Sequence, residues 1–206
     1  LKDMFRILRY NENQSTELDA FCNIFITYMQ KKISNSSLNK KIQEDLQLVT
    51  LAALADIMPL QNENRILVRN GLQALNQGFV IDGLKELLAR LNMLGKRITS
   101  TDLSWDVIPV LNAAGRLGKP ELAVKLFLEE EPLERDKIAT QIIQMNIDRR
   151  QIGNDSWSYI EKQAYENAEK NKNKLVVVLD ERVHRGVCGI VATNLVKVFH
   201  APSIVM

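Results

Sequence analysis

One carboxylate, Asp56, lies in the otherwise apolar segment LAALADIMPL at residues 51–60. A charged group is costly to bury unless it is paired, hydrogen-bonded or bound to a metal ion. Asp56 therefore either accepts hydrogen bonds from the backbone in a turn before Pro59, or acts as a metal ligand held by the packed helix that precedes it. The residue types alone favour the turn, because carboxylates before proline are common in turns.

A second segment, LNAAGRLG at residues 111–118, is rich in small residues. Ala113, Ala114 and Gly115 allow the backbone to approach either a packing partner or a ligand closely, and the two interpretations have equal weight. Arg116 could present its planar guanidinium group to a phosphate. The alternative is an exposed arginine beside a tightly packed helix–loop junction.

A third segment, VHRGVCGIVA at residues 183–192, places His184 and Arg185 just before a predicted helix. The free N–H groups at a helix N-terminus can bind an anion, and a histidine there could contact a phosphate or lie near a metal. A surface histidine on a strand–helix loop is the alternative that these residues leave open.

The composition limits the classes of function. Lys and Arg number 27 against 25 Asp and Glu, a net charge of +2, so the chain lacks the global basic character of many nucleic-acid binders. Any anion site must therefore be local. Cys22 and Cys188 form no CxxC pair, which offers no zinc site and fits a reducing cytoplasm. We find no signal peptide and no apolar stretch of transmembrane length.

Helices are predicted for most of the chain, because its apolar residues recur with helical spacing. Residues 34–41 are predicted to form a loop or cap, Thr99 and Ser100 to cap a short helix, and Pro109 to break its regularity. In the long helix, Gly153 and Asn154 are candidate interruptions. The predicted helices cover residues 18–33, 45–57, 62–78, 81–94, 120–130 and 134–171.

The last part of the chain changes character. KLVVVLD at residues 174–180 is typical of a buried strand, VCGIVATNLVKVF at 187–199 of an amphipathic helix, and SIVM at 203–206 of a second strand. Together they predict a β-α-β unit with parallel strands and a right-handed crossover. The chain begins without Met and stops within this second strand, so we expect a fragment of a longer protein.

Three segments, in this order, resemble motifs of the RecJ family of single-stranded-DNA-specific exonucleases, within the DHH phosphoesterase superfamily. They are LAALADIMPLQNENRILVRNGL, LNAAGRLGKPELAVKLFL and VHRGVCGIVATNLV, and NIDRRQI resembles the family's domain connector. The resemblance implies an α/β fold. Residues 1–133 would form the later, mostly helical part of a DHH catalytic domain, residues 134–171 a connector helix, and residues 172–206 the start of a DHHA1 domain.

The resemblance also implies roles for single residues. Asp56 matches the aspartate of the family's ADxxPL motif, a ligand of catalytic Mn²⁺ or Mg²⁺. Asn112 and Arg116 match the NAAGR motif, which lines the substrate cleft. His184 and Gly186 match a loop that faces the same cleft, which implies a catalytic and substrate-binding histidine.

The chain also departs from the family pattern. Val183 and Arg185 replace the usual Trp and Pro of that loop, and the additional arginine is compatible with nucleic-acid contact. The family builds its metal site from several upstream carboxylates and an Asp-His-His triplet. The two histidines here, His184 and His200, lie in no such triplet.

The predicted function is a fragment of a metal-dependent 5′→3′ exonuclease that degrades single-stranded DNA in repair and recombination in the cytoplasm, with the fragment alone inactive. Single-stranded DNA is the expected partner, with a single-stranded-DNA-binding protein or a helicase as candidate protein partners and no membrane. One alternative is a catalytically inactive DHH relative that serves as a nucleic-acid-binding or replication scaffold protein. The other is a DHH phosphodiesterase for short oligonucleotides or cyclic dinucleotides, whose usual GGGH motif is absent from this sequence.

Overall fold

The computed structural model describes residues 27, 28 and 36–206. The predicted helix at 18–33 lies outside these residues, apart from the helical Thr27 and Tyr28. The described α-helices are α1 Ser36–Ala55, α2 Asn62–Asn76, α3 Asp82–Arg90, α4 Ser100–Asp102, α5 Ile108–Arg116, α6 Pro120–Leu128, α7 Pro132–Lys170 and α8 Cys188–Phe199. A π-helical turn, Leu103–Val107, joins α4 to α5, and the strands are β1 Val176–Val178 and β2 Ser203–Val205. The predicted fold class, mostly helical with an α/β end, is confirmed.

The first two helices form a closely packed pair. A Cβ atom on Gly71 of α2 would overlap the side-chain oxygen of Thr50 and the carbonyl oxygen of Leu46 in α1, so this crossing requires glycine. The predicted loop at residues 34–41 is wrong from Ser36 on, because α1 begins there. Polar residues in the first turn of a helix carry no apolar period, so the sequence pattern places the helix start too late.

The segment between residues 99 and 116 is one helical run with a local defect. Thr99 caps its start, since its side chain accepts a hydrogen bond from the Asp102 N–H while the Asp102 carboxylate accepts from the Thr99 N–H. Ile108 then donates its N–H to the carbonyl of Leu103, five residues back, which is a π-helical bond. Pro109 cannot donate in an α-helix and its ring crowds the preceding turn, so the regularity breaks beside it as predicted.

One long helix joins two hydrophobic cores. The first half of α7 contributes Ala139 and Ile142 to a core built mainly from α3, the π-helical turn, α5 and α6. Its second half contributes Ile160 and Ala164 to a core that includes β1 and α8. The predicted interruption at Gly153 and Asn154 is wrong, because the helix runs for 39 residues, a length of about 58 Å.

The last element is the predicted β-α-β unit. β1 and β2 pair in parallel, with Val176 opposite Ser203 and Val178 opposite Val205, and α8 connects them. His200 ends α8 in the left-handed conformation, with φ of 52°. Within the part of the chain that the structure describes, no helix combines the length and apolarity needed to cross a bilayer.

Candidate functional site

Asp56 lies just after α1, in a turn that the backbone closes by itself. The N–H of Ile57 donates to the Leu54 carbonyl at 3.3 Å, and that of Met58 donates to the Ala53 carbonyl at 2.9 Å. This pair of bonds satisfies the last carbonyls of the helix. Asp56 is exposed, so the premise of a buried charge is wrong, and no described donor contacts its carboxylate.

The residue after this aspartate has a strained backbone. Ile57 adopts φ of 53°, the left-handed region that glycine usually occupies at a helix end, and its side chain is 87% exposed. A β-branched residue in this region is an outlier that costs on the order of 1–2 kcal/mol. The turn therefore holds the Asp56 carboxylate at the surface despite an unfavourable local conformation.

The described residues do not complete a metal site around Asp56. An exposed carboxylate is the type of oxygen donor that Mg²⁺ and Mn²⁺ prefer. However, no group of three or more His, Cys, Asp or Glu side chains suited to a metal ion occurs among residues 27, 28 and 36–206. Asp56 can therefore offer one oxygen donor group, and the described residues place no complete ligand set around it.

Arg116 and Gly186, which are 70 positions apart in sequence, are in contact. The Arg116 guanidinium group donates from Nη1 to the Gly186 carbonyl at 3.2 Å. A Cβ atom on Gly186 would overlap the Arg116 carbonyl oxygen, so only glycine allows this approach. The fold thus brings the second and third motif segments together, at the C-terminus of α5.

His184 lies in the same loop and is oriented by it. Its Nδ1 accepts a hydrogen bond from the Gly186 N–H at 3.1 Å, so the neutral imidazole carries its proton on Nε2. His184 and Arg185 are both exposed, and Gly186 is half-buried. The loop therefore presents an imidazole N–H donor and a guanidinium group to solvent beside Arg116.

The small residues of the second segment divide between two uses. Ala113 and Ala114 are fully buried in contact with the core, which is the packing interpretation. A Cβ atom on Gly115 would meet nothing within 4 Å, so this position faces open space. Asn112 and Arg116 are exposed and line a shallow cavity of about 430 Å³ with Gly115 and Pro120.

The long helix adds arginines that the sequence analysis did not single out as functional. Asn146 of α7 accepts hydrogen bonds from Nε and Nη2 of Arg149, at 3.2 and 3.0 Å, and so fixes that side chain. Burial, followed by the nearby charges of Arg150 and Arg116, lowers the pKa of Arg149. We call Arg116, Arg149 and Arg150 the arginine cluster. The adjacent arginines of NIDRRQI were the available signal, but periodicity indicated only a connector.

The candidate residues thus fall into one group, at the contact between α5 and the loop after β1, and one separate residue, Asp56. Direct contacts join Arg116, Gly186 and His184, and Asn112 shares a cavity with Arg116. No described hydrogen bond or ion pair joins Asp56 to this group.

Comparison with known proteins gives consistent results, although no protein-family model matches the chain. The single-stranded-DNA-specific exonuclease RecJ of Dickeya dadantii is 31% identical over 167 residues, which are 79% of this chain and 29% of that protein. RecJ of Escherichia coli is 32% identical over 167 residues, with the same coverage. RecJ of Bacillus subtilis is 30% identical over 177 residues, 85% of this chain and 22% of that protein.

Solved structures agree with these relatives. RecJ of Thermus thermophilus in complex with Mn²⁺ has a TM-score of 0.70 and 27% identity over 80% of this chain and 24% of that one. Its complex with Mg²⁺ has a TM-score of 0.66 and 26% identity, over 80% of this chain and 25% of that one. The chain spans less than a third of the length of the curated relatives it matches. In sequence and in fold, over the part that aligns, the chain belongs to the RecJ family, as its three motif segments predicted.

Proposed function

We propose that this chain is part of a divalent-metal-dependent exonuclease that degrades single-stranded DNA from the 5′ end in repair and recombination. Residues 1–133 would belong to its DHH catalytic domain, residues 134–171 to the connector and residues 172–206 to a DHHA1 domain. The observation that carries the proposal is the contact between Arg116 and Gly186, which unites two of the three motif segments on one exposed surface.

The reaction that this surface would serve is hydrolysis of a phosphodiester. A bound Mn²⁺ or Mg²⁺ would supply a more acidic water and neutralise charge on the reacting phosphate. Asp56 would hold one coordination position of that metal through its exposed carboxylate. The strained turn at Ile57 supports this assignment, because strain of this kind concentrates at functional sites.

The remaining residues would bind and orient the strand. Arg116 offers a planar fork of donors to a phosphate, and Asn112 offers a neutral amide donor from the same cavity wall. His184, with its proton on Nε2, would donate to a phosphate oxygen or protonate the leaving oxygen. Arg185 adds a second exposed cation on the loop, and Gly186 lets that loop lie against α5.

The chain alone is expected to be inactive, because Asp56 is the single candidate metal ligand assigned among the residues that the structure describes. Purified chain incubated with 5′-phosphorylated single-stranded DNA and Mn²⁺ should release no nucleotides above a mock preparation. In the longer enzyme that contains this segment, Asp56→Asn should abolish hydrolysis and weaken Mn²⁺ binding, which electron paramagnetic resonance measures directly. Because the Asp56 carboxylate accepts no described hydrogen bond, melting temperature should be unchanged.

The matched control is Glu161→Gln, since Glu161 is also an exposed carboxylate but lies on α7, away from the cavities described here. This control should hydrolyse DNA and bind Mn²⁺ like the wild type. Near-wild-type hydrolysis by Asp56→Asn would refute the metal role of Asp56. Hydrolysis by the isolated chain would refute the shared metal site.

A further inference from the structure

A second basic surface lies away from the Arg116–Gly186 contact, in a groove beside α2. The groove has a volume of about 770 Å³ and runs between α2 and the segment from Arg97 to Ser100. Leu60, which belongs to the same ADIMPL segment as Asp56, also lines it. We call it the α2 groove. Its polar walls include Arg65, Arg69 and Arg97.

The opposite wall of the α2 groove is fixed in place by one side chain. Asn76, at the end of α2, donates from Nδ2 to the Ile98 carbonyl at 2.8 Å and accepts from the Ile98 N–H at 2.8 Å. Ile98 itself is buried. These two bonds hold the 97–100 segment alongside α2, so Arg97 is positioned across the groove from the α2 arginines.

The charge in the α2 groove is uncompensated. No aspartate or glutamate lines it, and within the described residues none of its three guanidinium groups forms an ion pair. By contrast, Arg90, Arg135 and Arg182 each pair with a carboxylate. Arg65 and Arg69 are four positions apart on α2, so they lie on the same helix face.

We propose that the α2 groove binds the phosphodiester backbone of single-stranded DNA. The identity of the ligand rests on the proposed function. The location of its binding site rests on charge complementarity. Proteins that bind single strands use a positively charged groove that tracks the backbone, usually with aromatic side chains on which bases stack. The α2 groove supplies the first feature through its three arginines, and none of its lining residues is aromatic, so the expected contacts are with phosphates rather than bases.

The groove also connects with the basic surface already described. Arg97 lines an adjoining cavity of about 480 Å³ together with Lys96 and Arg150, and Arg150 belongs to the arginine cluster. Two carboxylates, Asp102 and Asp106, line that cavity too. The Asp102 carboxylate is already engaged by the Thr99 N–H and hydroxyl. A strand that continued from the α2 groove toward the cluster would pass three cations and two carboxylates, so we place the main contacts in the α2 groove itself.

The test is equilibrium binding of a fluorescein-labelled oligothymidylate to the chain, followed by anisotropy in EDTA over a range of salt concentrations. Each phosphate contact with a single strand contributes about 0.7 to the slope of log affinity against log salt. Arg65→Gln with Arg69→Gln should therefore make the slope shallower by about 1.4 and weaken binding about 25-fold at about 0.1 M salt.

The matched control is Lys125→Gln with Lys197→Gln, which removes the same charge from two exposed helical positions outside the groove. The affinity of this control should fall by less than about threefold, because salt screens the effect of charges that lie far from the bound strand. Arg65→Lys with Arg69→Lys keeps the charge and should retain most of the affinity, which separates charge loss from misfolding.

Three results would overturn the proposal. The first is an absence of oligothymidylate binding by the wild-type chain, and the second is an equal loss of affinity in the groove variant and the control variant. The third is displacement of the labelled strand by polyglutamate as readily as by unlabelled oligothymidylate, which would indicate an acidic protein partner. Because the assay contains no divalent metal and measures no hydrolysis, it is independent of the Asp56 experiment. Binding that survives in a chain whose Asp56 role has failed would still support the α2 groove.

Discussion

Replacing Gly186 with alanine tests whether the close contact between α5 and the loop that contains Gly186 joins the two cores. The added Cβ would overlap the carbonyl oxygen of Arg116 and lie 2.9 Å from its carbonyl carbon and 3.1 Å from Nδ1 of His184. The first two atoms belong to the backbone of α5, which is packed on the core and cannot rotate away. The loop must therefore withdraw from α5 by roughly 1–1.5 Å before the new Cβ clears the Arg116 carbonyl oxygen.

The cost follows from this overlap. Overpacking against fixed backbone costs about 1–3 kcal/mol, and the withdrawal also breaks the hydrogen bond from Arg116 to the Gly186 carbonyl. For a chain of this size, each kcal/mol lowers the melting temperature by about 2–4 °C. Gly186→Ala should therefore lower the melting temperature by about 2–12 °C and increase amide exchange in the loop from His184 to Val187.

Gly189→Ala is the matched control, since Gly189 lies in α8 and a Cβ there would meet nothing within 4 Å. Alanine is the better helix former by about 0.5–1 kcal/mol, so this variant should melt slightly above the wild type. Circular dichroism melts of both variants, with hydrogen exchange read by mass spectrometry, decide the question. A Gly186→Ala chain that melts at or above the wild-type temperature would refute the steric argument.

Two further predictions concern charge and backbone strain. Bidentate hydrogen bonds from Arg182 lower the pKa of Asp180 from 3.8 to about 2, so its stabilising effect is present above pH 3.8 and is lost as pH falls toward 2. Asp180→Asn should thus melt below the wild type at neutral pH, with the difference closing near pH 2; a constant difference would contradict the pKa shift. Ile57→Gly should raise the melting temperature, because glycine adopts φ of 53° without the strain of about 1–2 kcal/mol. Ile57→Ala, which keeps a Cβ, should recover less, and equal melting of both variants would argue against strain.

The sequence predicted those features of the fold that depend on local pattern. The helices beginning at Asn62 and Pro120 follow from apolar period and from proline in the first turn of the second helix, and the parallel pairing of β1 with β2 follows from strand composition. Gly153 was misread because its local cost of about 1 kcal/mol is outweighed by the anchoring of α7 in two cores, one on each side. That anchoring is a tertiary effect without a local signal.

The environment of Asp56 could not be predicted from sequence for a related reason. An apolar run indicates that a helix can be covered, but not which of its faces a neighbour covers. Here α2 packs on one side of α1, while Leu48, Val49 and Ile57 remain exposed within the described structure. The charge of Asp56 is therefore solvated rather than buried, and the metal role proposed for it is supported by the family resemblance and the strained turn, not by a burial penalty.

The arginine cluster shows how a nearly neutral chain could hold a polyanion. The chain's net charge of +2 predicted that any anion site must be local, and the charges of Arg116 on α5 and Arg150 on α7 both act on Arg149. The Gly186 carbonyl fixes Arg116, and the Asn146 amide fixes Arg149. Both anchors are neutral, so they orient the arginines without cancelling their charge. A carboxylate in the same position would orient the arginine but would also neutralise it. Under the proposed function, a bound phosphate would relieve the repulsion of Arg149 by Arg150 and Arg116, and this relief would add to the phosphate affinity.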